Sequence, residues 1–364
     1  MKVLVVMGTR PDVIKLAPVV FALRRRKNLR ILICVTAQHR ELLDQMLSVF
    51  KLQPDFDLNI MRKGQSPEDV ARRVGERLGP LLTRHKPDLV VVQGDTTTAA
   101  AAAVCADQHR IAVAHVEAGL RSFDLNNPFP EESNRITIDR LAALHFPPTR
   151  KARANLSREG LRGPGVLVTG NTIVDALLWA RRRAGIRPAA PSSKHEVLVT
   201  LHRRESFGKP LKRIFRTLTS LVRKHENLFL LYPLHPNPHV RLTARRLLRH
   251  PRIHLLKPLP YLDFLRLMDR VDFVITDSGG LQEESACLGK PVLVVRKATE
   301  RPEIIAAGAG KLVGFNQRRL IDWASRLLKD NALHSRMSRA KNLYGDGKAA
   351  ERIAAVISRW KPSR

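Results

Sequence analysis

The stretch TDSGGLQEESACLGKPVLV (276–294) sets paired glycines between the apolar run VDFVIT (271–276) and a helix-forming segment. Free N–H groups at such a helix start suit a phosphate. Glu283 and Glu284, one turn further on, suit the helix dipole but would repel a phosphate at that point. A nucleotide reconciles the two. Its diphosphate would take the N–H groups of Ser278, Gly279 and Gly280, and a carboxylate beyond them would accept from the ribose hydroxyls. A capped surface helix whose acids complement its dipole explains this stretch equally well.

Further polar residues with chemical capacity follow apolar runs elsewhere. GTRPDVIK (8–15) carries Gly8, Arg10 and Lys15. QGDTTT (93–98) carries Asp95, HVEAGLRS (115–122) Glu117, and NPFPEESNR (127–135) Glu131 and Glu132. VTLHRRES (199–206) places His202 beside Arg203, Arg204 and Glu205. Carboxylates and an imidazole are side chains suited to proton transfer. Each also has a plain structural explanation: Asp95 as a helix N-cap, Glu131 and Glu132 as first-turn dipole residues, His202 as a satisfied core histidine, Arg10 and Lys15 as solvated cations. Glu117 lies between apolar residues and a glycine, where burial without a partner is costly, and this favours a function.

The elements that must position them alternate along the whole chain. Strands are predicted at 2–7, 31–36, 89–93, 111–115, 144–146 and 166–169, and again at 196–201, 228–232, 253–256, 272–276, 291–295 and 311–313, with amphipathic segments between. Continuous apolar strands separated by helical patterns mean parallel sheets covered on both faces. The fold class is α/β, two doubly wound Rossmann-like domains facing a cleft. A first domain is expected over 1–180 and a second over 190–345. The break falls in RRRAGIRPAAPSSKHE (181–196), and a last helix over 349–364 returns to the first domain. In open parallel sheets ligands sit beyond the carboxyl ends of the strands, where all of these polar residues fall.

Length and composition bound the function. A chain of 364 residues fits two domains better than one core. No apolar run reaches the ~20 residues of a membrane helix and the start lacks a signal-peptide core, so a cytoplasmic protein is expected. Cys34, Cys105 and Cys287 lie in apolar surroundings without CxxC spacing, so neither a disulfide nor a zinc site is expected. His235 and His239 are four apart, but Pro236 and Pro238 break the helix that would align them and no acid completes a metal set. GAGKLVG (308–314) has the wrong glycine spacing for a Walker loop. The net charge of +31 is spread over clusters such as RRRK (24–27), RRR (181–183) and RRLLRH (245–250), with few aromatics. Bases would find no evident stacking platform, so a basic solvated surface is favoured over nucleic-acid binding.

GTRPDVIKLAP, TAQHRELLDQML, GDTTT, HVEAGLRS, PFPEESNR, TGNTIVDAL, LHRRES, TDSGGLQEE and ERPE occur in this order along the chain. Together they resemble the non-hydrolysing UDP-N-acetylglucosamine 2-epimerases. The resemblance implies the two-domain glycosyltransferase-B arrangement, with the nucleotide held mainly by the C-terminal domain in the interdomain cleft. It implies that Ser278, Gly279, Gly280 and Glu284 hold UDP, with Phe264 and Arg301 lining the site and Arg10 and Lys15 forming its cationic side. Asp95, Glu117, Glu131 and His202 match the catalytic groups. Gln38, Glu41, Arg203 and His235 resemble part of a regulatory UDP-GlcNAc site. The pattern departs at Asp12, where the family usually has Glu, at Ser133, and in a short linker.

The activity so implied is interconversion of UDP-N-acetylglucosamine and UDP-N-acetylmannosamine. C2 has no adjacent carbonyl to acidify its proton, so the route eliminates UDP to a 2-acetamidoglucal and adds it back. No metal or redox cofactor enters this scheme, and a homodimer is expected. Alternatives are an epimerase of a UDP-2,3-diacetamido-uronic acid, a hydrolysing 2-epimerase, a glycosyltransferase of the same fold and, from another class, a basic nucleic-acid-binding protein.

Overall fold

The computed structural model describes every residue except 127–128, 187–192, 204–205, 236, 300, 340–342 and 363–364. Arg204, Glu205, Pro236 and the middle of the 181–196 stretch therefore lie outside the described residues. The chain divides into two compact units, Met1–Trp179 with Tyr344–Arg364, and Ala180–Leu343.

The first unit holds six parallel strands: β1 (Lys2–Met7), β2 (Arg30–Val35), β3 (Phe56–Asp57), β4 (Leu89–Gln93), β5 (Ala112–Val116) and β6 (Leu144–Phe146). Their order is β3-β2-β1-β4-β5-β6. Between them run α1 (Arg10–Arg24), α2 (Arg40–Phe50), α3 (Pro67–His85), α4 (Thr97–Gln108) and α5 (Glu131–Leu141), followed by α6 (Arg150–Arg158) and α7 (Thr172–Arg183). Leu4, Val5, Val90 and Val91 are fully buried, as strands covered on both faces require. The order reverses between β1 and β4, so the loops after these two strands border a crevice.

The second unit repeats the plan with β7 (His195–Thr200), β8 (Leu228–Pro233), β9 (Ile253–Leu256), β10 (Phe273–Thr276), β11 (Val292–Val294) and β12 (Gly310–Leu312). All are parallel, in the order β12-β11-β10-β7-β8-β9. The helices are α8 (Lys209–Lys224), α9 (Pro238–Leu247), α10 (Tyr261–Arg270), α11 (Gly279–Cys287), α12 (Pro302–Ala306), α13 (Gln317–Lys329) and α14 (Asn331–Ser338). Here the order reverses between β7 and β10.

A last helix, α15 (Ala349–Arg359), belongs to the first unit. The Asp175 carboxylate accepts from the N–H groups of Ala349 (3.3 Å) and Ala350 (3.0 Å) and so caps it. Burial pushes the Asp175 carboxyl up. Arg25 of the first unit ion-pairs with Glu351.

Three sequence expectations change. The segment 166–169 forms only an isolated bridge from Val166 to His145. The Leu167 N–H donates to His145 O and the Thr169 N–H to Pro147 O. Pro147 has no N–H with which to continue the ladder. The two-residue strand β3 is too short and polar to show a pattern. Arg181, Arg182 and Arg183 complete α7 rather than opening a linker, and the units divide inside that helix, after Trp179. Cys34, Cys105 and Cys287 are free thiols, and burial pushes the first up to about 12. Among the described residues no helix is long and apolar enough to cross a membrane.

Candidate active site

In the first unit the crevice begins at the turn from β1 into α1. Asp12 Oδ2 accepts from the N–H groups of Gly8 (2.8 Å) and Thr9 (3.0 Å), so the two amides that lead into this helix are used internally. Burial raises the Asp12 carboxyl to about 6 against the pull of these hydrogen bonds. A Cβ on Gly8 would lie 2.2 Å from Thr98 Oγ1, so the turn packs directly on α4. One helical turn on, Lys15 Nζ meets Glu117 Oε2 at 2.5 Å, with both side chains buried.

Glu117 follows β5 with φ +71°, a left-handed backbone conformation that costs a non-glycine residue roughly 1–3 kcal/mol. Gln93 Nε2 also donates to its Oε2, at 2.7 Å, and the two donors fix the plane of the carboxylate. Gly119 holds the same loop at φ +77°, where a Cβ would lie 2.3 Å from Ala152 O. Asp95 lies after β4. Arg135 donates to its Oδ2 at 2.5 Å and to Glu132 Oε2 at 2.8 Å, and Asn134 Nδ2 donates to the Asp95 carbonyl at 2.8 Å. Glu131 opens α5 with a buried Oε2 that lacks a hydrogen-bond partner among the described residues. Glu132 is 1% exposed and accepts from the N–H groups of Ser122 and Phe123, which gives it a structural post.

Beneath these loops lies a buried pair. His115 Nδ1 meets Asp139 Oδ1 at 2.6 Å, and His115 Nε2 meets the Gly94 carbonyl at 2.8 Å. Asp139 Oδ2 accepts from Gly119 N at 3.1 Å and lies 2.8 Å from Arg121 Nη1. Burial pushes the Asp139 carboxyl up, but His115 and Arg121 outweigh it and hold it below the usual range. The pair thus ties the Gly94–Asp95 loop to the Glu117–Gly119 loop.

In the second unit the loops after β7 and β10 meet on Asp277, which is fully buried. Its carboxylate accepts from the N–H groups of His202 (2.9 Å) and Arg203 (2.9 Å) and from Ser206 Oγ (3.0 Å). The His202 ring stacks on His235 with centroids 4.9 Å apart, and burial pushes the His235 imidazole down. The Ser278 N–H donates to Thr276 Oγ1 at 2.9 Å. The N–H groups of Gly279 and Gly280 open α11 and have no carbonyl one turn earlier in their own helix. Glu283 is buried and ion-pairs with Arg301, while Glu284, on the next position of α11, is also buried. Gln282 accepts from Thr299 Oγ1 (2.7 Å), which in turn accepts from the Arg301 N–H (3.1 Å). Phe264 lies half-buried in the first turn of α10.

Of the regulatory candidates, Gln38 is held by Thr98, whose N–H and Oγ1 lie 3.2 and 2.9 Å from its Oε1, and Glu41 is exposed at the start of α2. Arg203 and His235 are in the second unit. Among the described residues no group of three or more His, Cys, Asp and Glu is arranged to hold a metal ion.

The profile of the UDP-N-acetylglucosamine 2-epimerase family matches residues 21–358. A UDP-N-acetylglucosamine 2-epimerase of Escherichia coli K12 is 47% identical over 369 residues, covering 98% of both chains. A probable one of Ralstonia solanacearum is 47% identical over 371 residues, 99% of each. The solved structure of the Neisseria meningitidis UDP-GlcNAc 2-epimerase bound to UDP-GlcNAc superposes with a TM-score of 0.93 at 40% identity, covering 98% of this chain and 99% of that one. The chain belongs to the UDP-N-acetylglucosamine 2-epimerase family.

For a chain of this family the structure adds residues that sequence reasoning passed over: Gln93, His115, Arg135 and Asp139 around the carboxylates, and Asp277 in the second unit. Their signal was present in part. Asp277 opens the quoted glycine stretch, and Glu132 and Arg135 stand three apart in EESNR, one face of a helix. His115 and Asp139 are 24 residues apart, and only the fold brings them together.

Proposed function

We propose that this enzyme interconverts UDP-N-acetylglucosamine and UDP-N-acetylmannosamine by eliminating UDP and adding it back. A base removes the C2 proton, the C1–O bond breaks with its electron pair leaving on UDP, and a C1–C2 double bond forms. In return, the UDP oxygen attacks C1 and a proton reaches C2 on the opposite face. Balance requires only proton donors and acceptors and a site that retains UDP.

The observation that carries this reading is Glu117, a buried carboxylate in a strained backbone conformation, clamped by Lys15 and Gln93 at a strand end. Asp95 and Glu131 supply further carboxylates in the same unit. Asp95 is oriented by Arg135, and the buried Glu131 oxygen, without a hydrogen-bond partner among the described residues, is where a substrate proton or hydroxyl would be accepted. His202 would assist departure of the UDP oxygen, its backbone pinned by Asp277. Gly279 and Gly280 would offer amides to the diphosphate, with Ser278, Phe264, Arg10 and Arg301 lining the UDP-sugar site and Glu284 accepting from the ribose. Gln38, Glu41, Arg203 and His235 would take part in regulation. The enzyme would act in the cytoplasm as a homodimer.

The test is incubation of the purified enzyme with UDP-GlcNAc in deuterium oxide, followed by proton NMR. New UDP-ManNAc signals with deuterium at C2 in product and in recovered substrate are expected. Product without solvent deuterium would replace elimination by an internal transfer, and release of free mannosamine would make this a hydrolysing enzyme.

A further inference from the structure

The excess positive charge is not evenly shared. Residues 180–343 contain 33 Lys and Arg against 13 Asp and Glu, a net +20 of the total +31. Within them, residues 209–257 contain 12 cations and one acid, Glu226. This stretch runs from α8 through β8 and α9 to β9. Successive crossovers β7-α8-β8 and β8-α9-β9 step in one direction along the sheet, and right-handed connections then put both helices on one face. Thr219 Oγ1 donates to Leu247 O and joins them.

Each helix buries one side and charges the other. In α8 the buried stripe is Leu211, Ile214, Phe215, Leu218, Leu221 and Val222. Its exposed stripe is Lys209, Lys212, Arg213, Arg216, Arg223 and Lys224. In α9 Val240 and Ala244 are buried, and Arg241, Arg245 and Arg246 are exposed. None of these cations is within ion-pair distance of a carboxylate among the described residues. Among the described residues the Lys and Arg ion pairs of this unit lie elsewhere, at Arg181–Asp269, Arg266–Asp263, Arg270–Glu196 and Arg301–Glu283. Among the described residues of the unit, the only large apolar side chain classed as exposed is Leu242, at 64%, and it projects from α9 between these arginines.

We propose that the outer face of α8 and α9 docks on an anionic phospholipid surface. Exposed Lys and Arg on adjacent helices, without a carboxylate partner among the described residues, match the field of acidic headgroups, and an exposed Leu among them can enter the headgroup boundary. A nucleic-acid backbone would satisfy the cations equally but gives Leu242 nothing to bury against, and among the described residues no exposed aromatic on this face offers a base a stacking partner.

The experiment is flotation of the full chain with phosphatidylcholine vesicles, with and without about 30% phosphatidylglycerol, at low and high salt. Binding is expected only with the anionic lipid, and is lost at high salt. The double variant Arg241→Glu/Arg245→Glu should weaken it at least about 25-fold, roughly fivefold for each cation removed. Leu242→Asn should weaken it about tenfold without a charge change. A matched reversal in the first unit, Arg153→Glu/Arg158→Glu, should change it less than about threefold. Thermal midpoints and UDP affinity of the variants are measured alongside, so that a folding defect is recognised. Binding to neutral vesicles, equal losses from the α6 reversal, or no effect of Leu242→Asn would each overturn the proposal. If Leu242→Asn left vesicle binding intact while the α9 reversal abolished binding to random duplex DNA, the face would be a nucleic-acid surface instead.

Discussion

The two units share a sheet order and a switch point, yet their crevices are furnished differently. At the first, Asp12 takes the two amides that lead into α1, those of Gly8 and Thr9, Pro11 has none to offer, and the neighbouring loops carry carboxylates held by Lys15, Gln93 and Arg135. At the second, Asp277 pins the loop after β7, and the glycine start of α11 keeps two amides with no carbonyl in their own helix. Under the proposed function, one architecture would thus yield a proton-transfer site or an anion site according to what occupies the helix start. A helix N-terminus at a strand end is an anion site only if its own side chains leave it unfilled.

The largest test of that contrast separates the two chemistries by substitution. Glu117→Gln should lower kcat by ~10²–10⁴-fold, the usual contribution of an acid–base group, while leaving calorimetric UDP affinity unchanged. Glu284→Gln should do the reverse. It should weaken UDP by about 1.5–3 kcal/mol, the cost of a hydrogen bond to a charged group, and spare pyrophosphate. If Glu117→Gln lost UDP affinity, or Glu284→Gln lost only turnover, the division of labour would be wrong.

A somewhat smaller effect concerns Asp12, the residue that fills the first helix start. Its carboxyl titrates at about 6 when folded, against 3.8 for the free side chain. The folded state therefore binds an extra proton between these values. The stabilisation is fully present below about 3.8 and is lost as pH rises through about 6. Asp12→Asn removes this dependence. Relative to the parent, the variant should therefore be about 2 kcal/mol less favoured at about pH 4.5 than at about pH 7.5, as read by urea unfolding. An unchanged difference across this range would mean that Asp12 is not desolvated.

Much of this plan was legible in the sequence because its cause is local. Runs such as KVLVVM and LVVVQ are apolar throughout, and only a strand covered on both faces demands that. The polar residues after them were findable because open parallel sheets expose their carboxyl ends. What escaped was non-local or below the resolution of a pattern. His115 reads as one more strand residue until Asp139 arrives from α5, and the two residues of β3 carry no period. Nor does anything in the sequence announce that Thr276 Oγ1 turns back on the Ser278 amide. At 166–169 a correct apolar signal failed because Pro147, in the neighbouring chain segment, lacks the N–H the ladder needed.

The smallest expected effect compares two glycines at the two helix starts. Gly8 is packed: a Cβ there would lie 2.2 Å from Thr98 Oγ1 and 2.6 Å from Thr36 Oγ1, side chains that are themselves hydrogen-bonded at 2.9 Å. Gly280 is open, with no heavy atom within 4 Å of the position a Cβ would take and no positive φ. Gly8→Ala should therefore destabilise the fold. Gly280→Ala should stabilise it by about 0.5–1 kcal/mol, because the unfolded chain loses freedom while the helix accepts the methyl. Thermal unfolding of the unliganded variants measures both. If the diphosphate uses the amide of residue 280 and needs no closer approach, UDP affinity of Gly280→Ala should stay within about threefold of the parent, since alanine keeps the N–H. A loss of tenfold or more with raised stability would show that the ligand lies against the bare backbone. The glycine at the second crevice would then serve the ligand by its lack of a side chain, whereas the glycine at the first serves the packing of α4.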